Sequence, residues 1–190
     1  DLFVELVRLH KEEGLSFKNV VVFGSYEFYP LADKNIGSMA QIQSQLLDHI
    51  DILPENVHTF PGDLPKETVF TFCEEYEKAI VEAGGIDIQV LGIGQCGNIA
   101  MNEPGTQPNS STRLVIMDSN SRMDVKSLFG NVAQVPTCAI TLGVETILQA
   151  KEVILLAFGQ HKAGIVKQAI EEVANAACPA SYLQLHKNAS

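Results

Sequence analysis

Residues 91–105 read LGIGQCGNIAMNEPG and follow directly on a short apolar run, IDIQVL, at 86–91. Gly92, Gly94 and Gly97 fall in the order G-x-G-x-x-G after a strand-like segment, the spacing of a dinucleotide-binding loop. That fingerprint requires its third glycine to lie in a helix opening after the strand, with an acidic residue about 20 positions further on. Asp118, at the end of LVIMD, stands at a suitable distance. The helix fails. Pro104, Gly105 and Pro108, followed by Asn109, Ser110 and Ser111, leave only residues 98–103 to be helical. Less than two turns cannot serve as a βαβ crossover. The loop is therefore not a nucleotide site, and no cofactor is expected.

Outward from this loop, strands alternate with helical patterns. NVVVF (19–23), IDIQVL (86–91), TRLVIMD (112–118) and EVILLAFG (152–159) read as strands of the buried type. Helical periodicity marks residues 2–13, 36–50, 66–85, 121–130 and 161–177, with Gly14 and the pair Gly84–Gly85 as stops. The stretch that follows NVVVF, with Tyr29, Pro30 and Leu31, reads as a loop, 139–150 as a strand end followed by a helix, and 180–188 as a last strand. The alternation predicts an α/β protein with an open, mostly parallel sheet covered by helices on both faces. There are no internal repeats, so one domain over residues 1–190 is expected.

The chain has 23 acidic and 13 basic residues, a formal net charge of −10. That average field repels a phosphate backbone and no basic stripe offsets it, so nucleic acid is not an expected partner. No apolar run reaches the ~18 residues of a membrane span. The four cysteines, Cys73, Cys96, Cys138 and Cys178, form no C-x-x-C pair and have no zinc spacing. Free thiols, no metal and a cytoplasmic setting are the corresponding expectations.

The glycine loop resembles a different signature. LGIGQCGNIAMNEPG is similar to the GGIGxDGHIAFNEPG segment of the glucosamine-6-phosphate deaminase/isomerase family. GGIDIQVLGIG, NEPGTQPNSSTR, VPTCAITLGVETILQAKEVILLAFGQHKA and YLQLHK resemble that family in the same order, so the likeness covers essentially the whole chain. It implies a modified Rossmann-like fold. It also implies a reaction in which glucosamine 6-phosphate becomes fructose 6-phosphate and ammonia through ring opening, proton transfer between C1 and C2, and loss of the amine.

Carried over residue by residue, the resemblance assigns Arg122 and Lys162 to the phosphate and Gly92, Gly94, Gly97 and Asn102 to the substrate loop. Arg113 matches a position that binds an allosteric sugar phosphate in some members. The family's Gly/Ser/Thr-rich phosphate loop has no counterpart, and the chain is expected to be incomplete at its N-terminus. Uncovered apolar surface there predicts association, and a homo-oligomer is expected.

The proton-transfer positions depart from the pattern. Tyr26 stands where the family has its general base, and a phenol with a pKa near ~10 is a poor base at neutral pH. Cys96 replaces an Asp of the ring-opening relay and Asn98 replaces its His; an amide shuttles no proton, whereas an imidazole is suited to it. Glu103 is retained, as is Glu27 beside the lost base, and these two carboxylates are the remaining catalytic candidates. Cys96 has no nearby histidine in sequence, His49, His58, His161 and His186 all being distant, so it reads as an ordinary thiol. The expectation is a deaminase/isomerase-like protein of amino-sugar metabolism with impaired or no turnover. The alternative is a non-catalytic sugar-phosphate-binding, regulatory or subunit module. A 6-phosphogluconolactonase-like hydrolase fits less well, because NEPG and LQLHK belong to the deaminase branch.

Overall fold

A computed structural model describes residues 2–190. Helix α1 (Leu2–Glu13) is followed by strands β1 (Val22–Phe23) and β2 (Tyr26–Tyr29), helix α2 (Ser38–Gln45), strand β3 (Val57–His58) and the long helix α3 (Val69–Glu82). Then come β4 (Ile88–Gly92), β5 (Arg113–Ile116), the short helices α4 (Ser119–Asp124) and α5 (Lys126–Phe129), and β6 (Cys138–Thr141). Helix α6 (Val144–Leu148), β7 (Glu152–Leu156) and α7 (Ala163–Glu171) complete the alternation.

The α/β architecture and the parallel pairing are as the sequence predicts. β1 pairs with β3 and β4 with β7, both parallel, the second in the register Ile88↔Glu152 to Gly92↔Leu156. An antiparallel ladder in the order β2-β6-β5 is added to them, with Tyr26 opposite Thr141 and Arg113 also opposite Thr141. The ladder and the parallel strands are tied through the segment between β1 and β2: Gly24 N donates to His58 O at 2.9 Å and Leu142 N to Ser25 O at 2.9 Å.

The main core gathers one face of α3 (Val69, Cys73, Tyr76, Ile80) against Leu91, Ile93, Ile99, Ile140, Leu142, Ile147 and Val153. That periodic stripe is the reason residues 66–85 form a helix, and Gly84 and Gly85, both at positive φ, end it. A second cluster of Phe28, Leu31, Met101, Met117, Phe129, Val135 and Ala139 packs beneath β2. One face of the β4–β7 pair stays open, with Ile88 57% and Val90 38% exposed, and α1 buries none of its residues fully.

Three local expectations are corrected. Residues 26–29 are a strand and not a loop, because β6 supplies a partner more than 100 residues away. Helix α7 stops at Glu171, well short of residue 177, where the Gln184 amide donates to Ala169 O and Glu172 O and closes the helix end. The tail begins as a 3-10 helix, Pro179–Leu185, in which the five successive residues 179–183 are buried. Strand-like pairing appears only afterwards: Val153 N donates to Asn188 O, Leu155 N to Ser190 O and Ser190 N to Val153 O.

Candidate functional site

The carboxyl end of β4 runs into the glycine loop, and a cleft of about 300 Å³ opens there. This is where open α/β sheets place their ligands. Tyr26, Gly92, Gly94, Asn98 and Lys162 line it, together with Ser25, Ala100, Met101, Ser121, Asp124 and Val125. Residues from β2, the loop, α4 and the start of α7 thus meet at one place.

No helix opens after Gly97. The loop turns back on itself through isolated bridges, Ile93 to Ile99 and Ile99 to Asn102, and Gly94 N donates to Asn98 O at 2.9 Å. Gly97 has φ +79°, and a β-carbon there would sit 2.6 Å from Cys178 Sγ. A β-carbon on Gly94 would lie 1.9 Å from Asn98 Oδ1. These glycines therefore serve backbone curvature and close packing of the Asn98 side chain, with no helix terminus for a pyrophosphate. Ala100, at φ +48°, is the non-glycine residue held in the left-handed region on the cleft wall.

The predicted polar residues divide into two groups. Tyr26 and Lys162 face the cleft. Burial pushes the Tyr26 hydroxyl up from its ordinary value, opposed by a hydrogen bond from Ser38, with the charge of Glu27 adding to the rise. Lys162 lies just before α7 and takes part in none of the ion pairs found among the described residues.

Glu27, Arg122, Asn102 and Arg113 are instead committed to the frame. Glu27 is buried beside the cleft wall; Oε1 accepts from Phe28 N (2.8 Å) and Ser38 N (3.0 Å), and Oε2 from Met39 N (2.9 Å). It holds the N-terminus of α2, which no side chain of the usual capping position serves. Arg122 donates through Nη2 to Val132 O (3.0 Å) and Val135 O (2.9 Å), while its Nε is buried with no partner among the described residues. Asn102 is fully buried, donating to Ile99 O and Leu142 O and accepting from Arg113 Nη1 at 3.0 Å. Arg113 also reaches Ser111 O and Thr106 Oγ1, and burial lowers its pKa.

Glu103 lies one hydrogen bond behind the cleft. It accepts from Ser121 Oγ at 2.9 Å and from Asp118 N at 3.2 Å. Its pKa is raised, mainly by burial and further by Asp118 and Asp124. Cys96 shares this acidic neighbourhood: burial pushes its thiol up, and the charges of Asp118, Glu103 and Asp124 add to the shift. A thiol surrounded by carboxylates is kept from its reactive thiolate form. Iodoacetamide at pH 7.5 is accordingly expected to alkylate Cys96 several-fold more slowly than free cysteine; mass spectrometry of the modified peptide measures it, and faster modification would contradict this reading.

Sequence reasoning did not nominate Ser25, Ser121 or Asp124. Each is a single polar residue outside any motif, in FGSYEF or SNSRMDVK, and only the fold carries it to the cleft. Among the described residues no cluster of His, Cys, Asp and Glu has the geometry of a metal site, and no helix is long and apolar enough to cross a membrane.

With the geometry in hand, the likeness to known proteins is specific. Residues 1–190 match the family described as glucosamine-6-phosphate isomerases/6-phosphogluconolactonase. The chain is 49% identical over 189 residues to a protein of Bacteroides thetaiotaomicron named as glucosamine-6-phosphate deaminase-like, covering 99% of this chain and 28% of that one. It is 42% identical over 189 residues to a glucosamine-6-phosphate deaminase of Shewanella woodyi, of which it spans 71%. A solved monomeric glucosamine-6-phosphate deaminase superposes with a TM-score of 0.94 at 33% identity, over 99% of this chain and 78% of that one. That relative is monomeric, so the association expected from the sequence is not a requirement of the fold. The 6-phosphogluconolactonase from Trypanosoma brucei, with a TM-score of 0.72 at 21% identity, shares the fold alone. By sequence along its whole length and by structure, the chain belongs to the glucosamine-6-phosphate isomerase/6-phosphogluconolactonase family.

Proposed function

We propose that this chain is a sugar-phosphate-binding, glucosamine-6-phosphate deaminase-like protein that turns over little or no amino sugar. The observation that carries the proposal is the make-up of the cleft wall. Where proton transfer needs a group titrating near neutral pH, the wall offers the Tyr26 phenol and the Asn98 amide. Burial moves the phenol further from neutrality. The nearby Glu27 carboxylate already accepts three backbone N–H groups, and Glu103 stands behind Ser121. A positioned acid or base typically contributes ~10²–10⁴ in rate, so losing both leaves a scaffold without its chemistry.

Ligand binding is supported by separate features. Lys162 stands at the cleft with no ion-pair partner among the described residues and just before the N-terminus of α7, where unpaired N–H groups favour an anion. A sugar phosphate seated there would have its phosphate toward Lys162 and its hydroxyls toward the loop.

The test is an assay for both products. Incubated with glucosamine 6-phosphate, the chain is expected to release neither ammonia nor fructose 6-phosphate above background, while sugar phosphates give a saturable, stoichiometric heat in a calorimeter. Turnover near the ~10 s⁻¹ typical of enzymes would refute the reading of Tyr26 and Asn98.

A further inference from the structure

We propose that Thr141, which does not itself line the cleft, is a positioning residue for it: its buried hydroxyl pins the glycine loop at Met101 to the end of β6, and ligand affinity depends on that pin. The proposal takes its ligand from the sugar-phosphate reading given above and adds the group that shapes the site.

Thr141 ends the middle strand of the β2-β6-β5 ladder and is fully buried. Its Oγ1 accepts from Met101 N at 3.1 Å, a partner 40 residues away in the chain. Its own proton lies toward Leu142 O at 3.1 Å, with Ser25 O at 3.4 Å. Leu142 repeats the pattern through its backbone: its N–H donates to Ser25 O at 2.9 Å, and its carbonyl accepts from Asn102 Nδ2 at 2.8 Å. Ser25 belongs to the segment between β1 and β2 and Met101 to the glycine loop, and both line the cleft. Residues 141 and 142 therefore join two separate stretches of its lining.

The loop depends on the Thr141 side chain more than Ser25 does. Ser25 O keeps Leu142 N whatever stands at position 141, because that donor is backbone. Met101 N has Thr141 Oγ1 as its partner among the described residues, so removal of the hydroxyl leaves a buried donor unpaired. Ala100, the residue before it, is held at φ +48°, a conformation that a non-glycine residue keeps only where its neighbours enforce it. On its other side the restraint is weak, Asn98 Nδ2 donating to Ala100 O at 3.5 Å. Without the Thr141 bond, residues 100 and 101 are free to relax, and both are cleft lining. The hydroxyl thus acts on a ligand through the loop and not by touching it.

Thr141→Val keeps the shape of the side chain and removes the hydroxyl, whereas Thr141→Ser keeps the hydroxyl and removes a buried methyl. Calorimetric titration with glucosamine 6-phosphate is expected to show the valine chain binding at least about fivefold more weakly than the parent. The serine chain is expected to bind within about twofold of the parent although it melts lower. A role in stability alone would make affinity follow the melting temperature. Amide exchange followed by NMR needs no ligand: relative to the amides of β6, Met101 N–H is expected to exchange at least about tenfold faster in Thr141→Val and at the parent's rate in Thr141→Ser. Unchanged affinity in the valine chain, or an equal loss in the serine chain, would overturn the proposal. Should the valine chain fail to fold, the parent decides: a Met101 amide exchanging as freely as those of exposed loops overturns the pin, and a protected one with parent-like binding by the serine chain upholds it. If the parent binds no sugar phosphate at millimolar concentration, the sugar-phosphate reading fails and takes the claim on affinity with it, while Met101 exchange still shows whether the hydroxyl holds the loop.

Discussion

A chain carrying Tyr26→Asp, Cys96→Asp and Asn98→His together is expected to convert glucosamine 6-phosphate at least about 10²-fold faster than the parent, with each single change giving less than about tenfold. The non-additivity is part of the expectation, because a base without a proton shuttle, or a shuttle without a base, leaves one transfer unassisted. Tyr26 and Asn98 line the same cleft, so the new carboxylate and imidazole would share it. A carboxylate at position 26 would sit beside the charge of Glu27 and within reach of the Ser38 hydroxyl, and the like charge would raise its pKa toward the working pH. A carboxylate at position 96 would join Glu103, Asp118 and Asp124, the groups that act on the present thiol. The amide end of the present Asn98 side chain is packed against Gly94, so an imidazole at position 98 must extend past that contact into the cleft that Asn98 lines. Ammonia release under saturating substrate measures the gain. If the triple variant melts like the parent and stays silent, these three residues are not what removed the chemistry.

The sequence located the glycine loop and, through it, the place of the cleft. Gly92, Gly94, Asn98, Tyr26 and Lys162 do meet there, although Tyr26 is more than 60 residues from the loop and Lys162 about as far on the other side. Helix α3 and the parallel strands β4 and β7 were equally legible, because a 3.6-residue stripe and a β-branched run are local signals. What escaped was decided at a distance. YEFY at 26–29 becomes a strand because β6 pairs with it. Glu27, Arg122 and Asn102 all carry the right chemistry for a site, yet their partners are backbone groups of α2, of residues 132–135 and of the ends of the glycine loop and β6. Residue type alone cannot say whether a carboxylate faces a ligand or a helix end. That distinction separates the two candidate carboxylates from the role the pattern assigns them.

The largest effect on stability is expected from a glycine outside the cleft. Gly143 lies where α6 begins, and a β-carbon there would stand 1.9 Å from Ser110 O and 2.4 Å from Ser111 O, both backbone atoms with no rotamer to yield. The segment cannot retreat cheaply. Ser110 Oγ accepts from Val144 N and Ser110 O from Glu145 N, each at 3.0 Å. Two residues on, Thr112 N donates to Glu77 Oε1 at 2.7 Å, and that same oxygen takes the Thr146 hydroxyl at 2.6 Å. Helix α3, helix α6 and the start of β5 are therefore joined at one rivet, and Gly143→Ala must break part of it. A loss of about 3–5 kcal/mol is expected, combining overpacking with unsatisfied buried donors. At roughly 2–4 °C per kcal/mol for a chain of this size, the melting temperature should fall by about 6–20 °C. Gly164→Ala is the matched opposite: it lies inside α7, its β-carbon would meet nothing within 4 Å, and removing backbone freedom from the unfolded chain should add about 0.5–1 kcal/mol. Thermal melts of the two variants beside the parent measure both signs. A Gly143→Ala chain melting within 2 °C of the parent would mean that α6 and the 110–112 segment do not approach as closely as the structure has them. That outcome would also loosen the argument for the cleft, because residues 110–112 anchor the far end of the loop that carries Asn98 and Glu103.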